Sequence, residues 1–125
     1  MCDERFWVSQ ELSRLIVSFQ DDVLVVEFAD RRIVEHDTIA QISTQLNALL
    51  EQHPGLRVLV DFAGVQQMSS SALGFLVSFA KRLDATGGEL KLCNILPQIY
   101  QAFVITRLHR VFEVHDSAQA AFAAF

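Results

Sequence analysis

Short apolar runs rich in β-branched residues alternate along this chain with stretches whose apolar residues recur every three or four positions. That alternation constrains the fold most, because a period of two belongs to strands and one near 3.6 to helices. Leu15-Ile16-Val17 and Val23-Leu24-Val25-Val26 flank the polar Gln20-Asp21-Asp22, so Leu12 to Phe28 reads as a hairpin. In the polar connection ADRRIVEHDT, Asp37 or Thr38 can cap a helix over 38–52, with Ile39, Ile42, Leu46, Leu49 and Leu50 on its apolar side. Pro54-Gly55 ends it.

Arg57 to Phe62 is long enough for a strand buried on both faces. A loop from Ala63 to Met68 leads into SSSALGFLVSFAKRLDATGG, where serine caps a helix and Gly87-Gly88 stops it. Leu90 to Ile95 reads as a strand. Pro97 opens a helix to about Leu108, with Ile99, Phe103, Val104 and Leu108 on its apolar side. Val111 to Val114 is a last strand, and Asp116 or Ser117 caps a final helix of Ala and Phe. The order β-β-α-β-α-β-α-β-α predicts an α/β fold: a mixed, mostly parallel sheet of four or five strands, covered by helices. The 125 residues, 51% of them hydrophobic, suit a single domain with one core.

Several function classes are disfavoured. The net charge is −5 with acids and bases scattered, and no basic cluster points to direct nucleic-acid contact. MCDERFWVSQ lacks a signal-peptide core, and no run approaches the roughly 20 apolar residues of a membrane span. A cytoplasmic protein without membrane insertion is therefore expected. Cys2 and Cys93 have no CxxC spacing, and Cys93 reads as a small buried hydrophobe. His36, His53, His109 and His115 show no HxH or HExxH spacing, so no metal is expected. The only glycine pair follows a helix, which leaves no GxGxxG or phosphate loop and no expected cofactor. The serines lack the G-x-S-x-G elbow, and neither His109 nor His115 is placed as a base, so no enzyme is expected.

The informative segment runs from Leu59-Val60-Asp61-Phe62-Ala63-Gly64-Val65 through Gln67-Met68-Ser69-Ser70-Ser71-Ala72-Leu73-Gly74. A hydroxyl at a helix start sits over unpaired N–H groups and the positive end of the helix dipole, where a phosphate gains hydrogen bonds. The bland alternative is that Ser69, Ser70 and Ser71 only cap the helix, a contribution of about 1 kcal/mol.

The segment resembles the STAS domain of sulfate transporters and anti-sigma-factor antagonists, in which a strand-end aspartate leads to a D-S-S/T-G-L-G turn. Asp61 matches the strand-end acid. Ser69 falls on the motif's Asp, Ser70 on its phosphorylatable serine and Ser71 on the second hydroxyl; Ala72 replaces a Gly, while Leu73 and Gly74 match. GGELKLCNI and PQIYQAFVITRLHRVFEV continue the likeness, which spans about 12–122. The family's acid near its first helix has two candidates here, Glu35 and Asp37.

The resemblance implies a partner-switching antagonist that binds an anti-sigma factor with serine-kinase activity and is released by phosphorylation at Ser70, or at its neighbours Ser69 or Ser71. ATP and magnesium would belong to the kinase. The alternative it implies is a non-switching scaffold, docking a transporter, a sensor or copies of itself.

Along the helix after the turn, Leu73, Leu76, Val77, Ala80 and Leu83 form one stripe and are expected to face the core. Opposite lie Ser71, Phe75, Ser78, Phe79 and Arg82. Exposed aromatics mark interaction surfaces, so Ser70, Phe75, Phe79 and Arg82 are the expected partner contacts, unless another helix, such as that from Pro97, covers the phenylalanines.

Overall fold

A computed structural model describes residues 10–11, 15–20 and 22–125. Cys2 and Leu12 lie outside the described residues. Among the described residues, eight strands and four α-helices follow one another: β1 (Gln10–Glu11), β2 (Leu15–Gln20), β3 (Val23–Phe28), β4 (Arg32–Ile33), α1 (His36–Gln52), β5 (Arg57–Asp61), β6 (Gln67–Met68), α2 (Ser70–Ala85), β7 (Glu89–Cys93), α3 (Pro97–Ile105), β8 (Glu113–His115) and α4 (Ala118–Ala124). The main sheet runs β1-β2-β3-β5-β7-β8. The β1–β2 and β2–β3 pairs are antiparallel; β3–β5, β5–β7 and β7–β8 are parallel. The mixed, mostly parallel sheet expected at four or five strands is therefore present with five, and the two-residue β1 is added at one edge.

Register and side-chain alternation divide the core unequally. Val17, Leu24, Val26, Val58, Val60 and Leu92 point to the face covered by α1, α2 and α3. Val23, Leu59 and Cys93 point to the other face, against Ala121 of the short α4. Val58, Leu59 and Val60 are wholly buried, as a central parallel strand requires. Lys91, also buried, points to the α4 side. There its ammonium lies 2.6 Å from Glu113 Oε2, 3.9 Å from Glu89 Oε2 and 4.8 Å from the Phe125 ring centre. A buried cation needs such partners.

Several boundaries differ from expectation. α1 starts two residues early, with Glu35 as its N-cap and no side-chain cap; Thr38 is buried inside it. α3 stops at Ile105 because Arg107 adopts a left-handed conformation (φ 62°), and a 3-10 turn covers Leu108–Arg110. That turn delays β8 to Glu113. α4 is capped by Ser117, whose side chain accepts from the Ala120 N–H at 3.1 Å. α2 ends where expected: Gly87 has φ +83°, and a Cβ on Gly88 would clash with the Leu56 carbonyl.

Candidate functional site

A small second sheet, β4 paired in parallel with β6, positions the serine turn. Arg32 stands opposite Gln67 and Ile33 opposite Met68, and Arg32 Nε donates to Gln67 Oε1 at 2.9 Å. The N–H groups of Gln66 and Gln67 donate to the Arg31 carbonyl, and that of Ser69 to the Ile33 carbonyl at 3.0 Å. Asp61 anchors the other end of the loop. Its Oδ1 accepts from the Ala63 N–H at 2.9 Å and from Asn94 Nδ2 at 3.0 Å. The strand-end acid thus ties β5 to the residue after β7 and shapes the turn between Asp61 and Val65. Neither two-residue strand has a sequence signature, because polar pairs such as Gln67 and Arg32 carry no periodicity.

The three serines have separate roles. Ser69 is the N-cap of α2, its hydroxyl accepting from the Ala72 N–H at 3.2 Å. Ser70 is the first helical residue and is exposed, and Ser71 is exposed beside it. Serine at 69 does locally what an aspartate would do, since both residues cap helices by accepting from the first turn. The departure from the family motif keeps the cap and removes a charge. Ala72 is wholly buried. Gly74, one turn below Ser70, is exposed, and a Cβ there would meet nothing within 4 Å. Ser70, Ser71, Gly74 and Ser78 therefore form a low, open stripe along α2, with Lys81 and Arg82 exposed at its far end.

The expected core face of α2 is corrected. Ala72, Leu73, Leu76, Phe79 and Leu83 are its buried residues, whereas Val77 and Ala80 are only partly buried. Phe79 is 3% exposed and belongs to the main core. The partly buried Phe75 stacks near it, ring centres 6.3 Å apart. The covering element is α1, not the helix from Pro97. Ile39, Ala40, Ser43 and Asn47 of α1 line a groove of about 360 Å³ with Phe75, Phe79 and Arg82. Burial removes Phe79 from the exposed surface; Phe75 and Arg82 stay accessible at the groove.

The remaining titratable groups have structural surroundings. Cys93 is wholly buried, and burial, with Asp61 and Glu27 nearby, pushes its thiol up to about 12. It is an inert packing group at neutral pH. Glu113 is held below its ordinary value by hydrogen bonds from Lys91 and His115. His53 packs edge-on against Phe19, His109 Nδ1 lies 3.4 Å from the Phe103 carbonyl, and His36 opens α1. Among the described residues, no three His, Cys, Asp or Glu side chains gather in a group that could hold a metal. No helix among them is long and apolar enough to cross a membrane.

The order of elements, the tethered loop and the serine-capped second helix define a STAS domain. The family model described as STAS domain matches residues 14–121, and the chain belongs to that family. It is 31% identical over 93 residues to BtrV of Bordetella bronchiseptica, a candidate anti-sigma factor antagonist, covering 74% of this chain and 79% of that protein. Its fold is similar to that of an anti-sigma-factor antagonist (STAS) domain protein from Planctomyces limnophilus, with TM-score 0.80 and 25% identity, covering 88% of this chain and 96% of the other. The fold also matches SpoIIAA of Bacillus in its phosphorylated form, with TM-score 0.67 and 17% identity, over 89% of this chain and 99% of that one.

Proposed function

We propose that this chain is an anti-sigma-factor antagonist that works by partner switching in the cytoplasm. Its unmodified serine surface binds an anti-sigma factor with serine-kinase activity, and a phosphate on Ser70 ends the interaction. The observation that carries the reading is the exposed Ser70 at the first position of α2, beside a cap that Ser69 already completes. A phosphate at Ser70 would lie over helix N–H groups and add about −1.5 to −2 charges to the surface a partner must cover. The low stripe through Gly74 lets a partner approach the helix closely, and Phe75 and Arg82 extend that surface along the groove with α1. The role is regulatory binding, with nucleotide and magnesium supplied by the partner.

A second reading, a scaffold without a switch, draws on one observation: Ser69 stands where the motif has an aspartate, so the turn has no acid beside Ser70. Affinity capture separates the two. Wild-type chain and Ser70→Ala should each retain an anti-sigma factor from the native host, identified by mass spectrometry, and Ser70→Asp should lose it. Equal retention by all three would favour the scaffold.

A further inference from the structure

β8 closes one side of the sheet, and no described strand pairs with its outer edge. An unpaired edge presents N–H and C=O groups that another strand can complete, and natural edges are often guarded by lysine or proline. β8 reads Glu113-Val114-His115 and has neither. Its one acid is already compensated: Glu113 Oε2 accepts from Lys91 Nζ and from His115 Nε2, each at 2.6 Å.

The elements that lead into this edge carry exposed apolar side chains. Five large apolar side chains are exposed among the described residues, and four of them, Tyr100, Val104, Ile105 and Val111, lie on α3 or the connection into β8. Ile105 is 81% exposed and Val111 64%. A cleft of about 320 Å³ between α3 and β8 is lined by Ile95, Pro97, Tyr100, Val114, His115 and Asp116. A free strand with exposed apolar side chains on the elements leading into it suits a partner that adds a strand.

We propose that this partner is a second copy of the chain, its β8 pairing antiparallel with the first across a two-fold axis at Val114. The two-fold and the sheet pattern select the register. Directly opposed residues of an antiparallel pair point to the same face, so a symmetric pairing is centred on a residue, not between residues. Centring on Glu113 would oppose two carboxylates, and centring on His115 two imidazoles. Centring on Val114 sets each Glu113 opposite the other copy's His115, on the α4 side of the sheet, and joins the two valines on the other. Glu113 keeps a second carboxylate oxygen and His115 its Nδ1 for that contact, since both bonds described above use Oε2 and the histidine's bond uses Nε2. This dimer does not involve Ser70 and stands apart from the antagonist role.

Cysteine cross-linking tests the register. In a Cys2→Ser background the one other thiol is the buried Cys93. Val114→Cys should form a reducible dimer on mild oxidation. Opposed Cα atoms in an antiparallel pair lie about 4.5–5.5 Å apart, within the span of a disulfide. His115→Cys, displaced from its own counterpart by the register, should give roughly tenfold less dimer. Sedimentation velocity of the unsubstituted chain should show concentration-dependent association that His115→Glu weakens. Equal or preferential cross-linking at His115→Cys, or a sedimentation coefficient that does not move with concentration, would overturn the proposal.

Discussion

The Ser69 backbone N–H donates to the Ile33 carbonyl at 3.0 Å, fixing the start of α2 against the segment that precedes α1. The same residue's hydroxyl caps α2, so one serine holds the turn from both sides and leaves Ser70 exposed. Ser69→Ala should therefore lower stability by about 1 kcal/mol, the usual cost of a lost cap. Ser70→Ala should change it by less than about 0.5 kcal/mol, as exposed substitutions do. Urea unfolding of both variants checks the pair, and equal losses would show that the hydroxyls share the capping role.

Phe79 is a core residue under α1. Phe79→Ala should cost about 3–5 kcal/mol, the range for deleting a buried aromatic. Phe75→Ala, at the partly buried rim, should cost clearly less while weakening partner binding. Thermal melts paired with titration of the anti-sigma factor distinguish the two positions. Full affinity in Phe75→Ala would remove the groove from the partner surface.

Gly74 offers a way to separate folding from binding. Nothing in the fold occupies the space a side chain would take, and glycine inside a helix is unfavourable by about 0.5–1 kcal/mol relative to alanine. Gly74→Ala should therefore stabilise the chain by about that amount. Gly74→Arg should leave the fold intact and lower partner affinity by tenfold or more, about 1.4 kcal/mol. An unchanged affinity would place the contact elsewhere on α2.

Acid should weaken the β7–β8 side of the sheet through Glu113. Lys91 and His115 hold its carboxyl below the unfolded value of about 4.5. A group depressed in this way contributes stability above the unfolded value and loses it as pH falls through the folded one. Glu113→Gln should be less stable than the wild type at neutral pH, and the difference should shrink on acidification below about pH 4.5. Chemical denaturation at a series of pH values reads it, and a constant difference would mean that the pair contributes nothing.

Much of the fold was legible because its strands and helices have opposite periodicities and clear stops. The Val58 to Val60 strand, the helix after the serines and the Gly87-Gly88 terminator needed only local signals. The buried face of α2 was not legible, because leucine, valine, alanine and phenylalanine surround most of this helix. Which arc is buried depends on the position of α1, and α1 covers Phe79 while leaving Val77 and Ala80 at the margin. The turn's tether to Arg31 and Ile33 was equally hidden, since backbone carbonyls carry no side-chain signal. The place of Ser70 at a helix start was readable from motif and pattern together. The distinct capping role of Ser69 depends on where the folded turn places its hydroxyl, against the Ala72 N–H.

Partner switching in this chain rests on Ser70 as the phosphate acceptor. The direct measurement is intact-mass spectrometry of the full chain after incubation with the host's anti-sigma kinase, ATP and magnesium, with Ser70→Ala in parallel. The wild type should gain one phosphate, located at Ser70 by fragmentation, and Ser70→Ala none. A wild-type chain left unmodified by a kinase active on another substrate would contradict it.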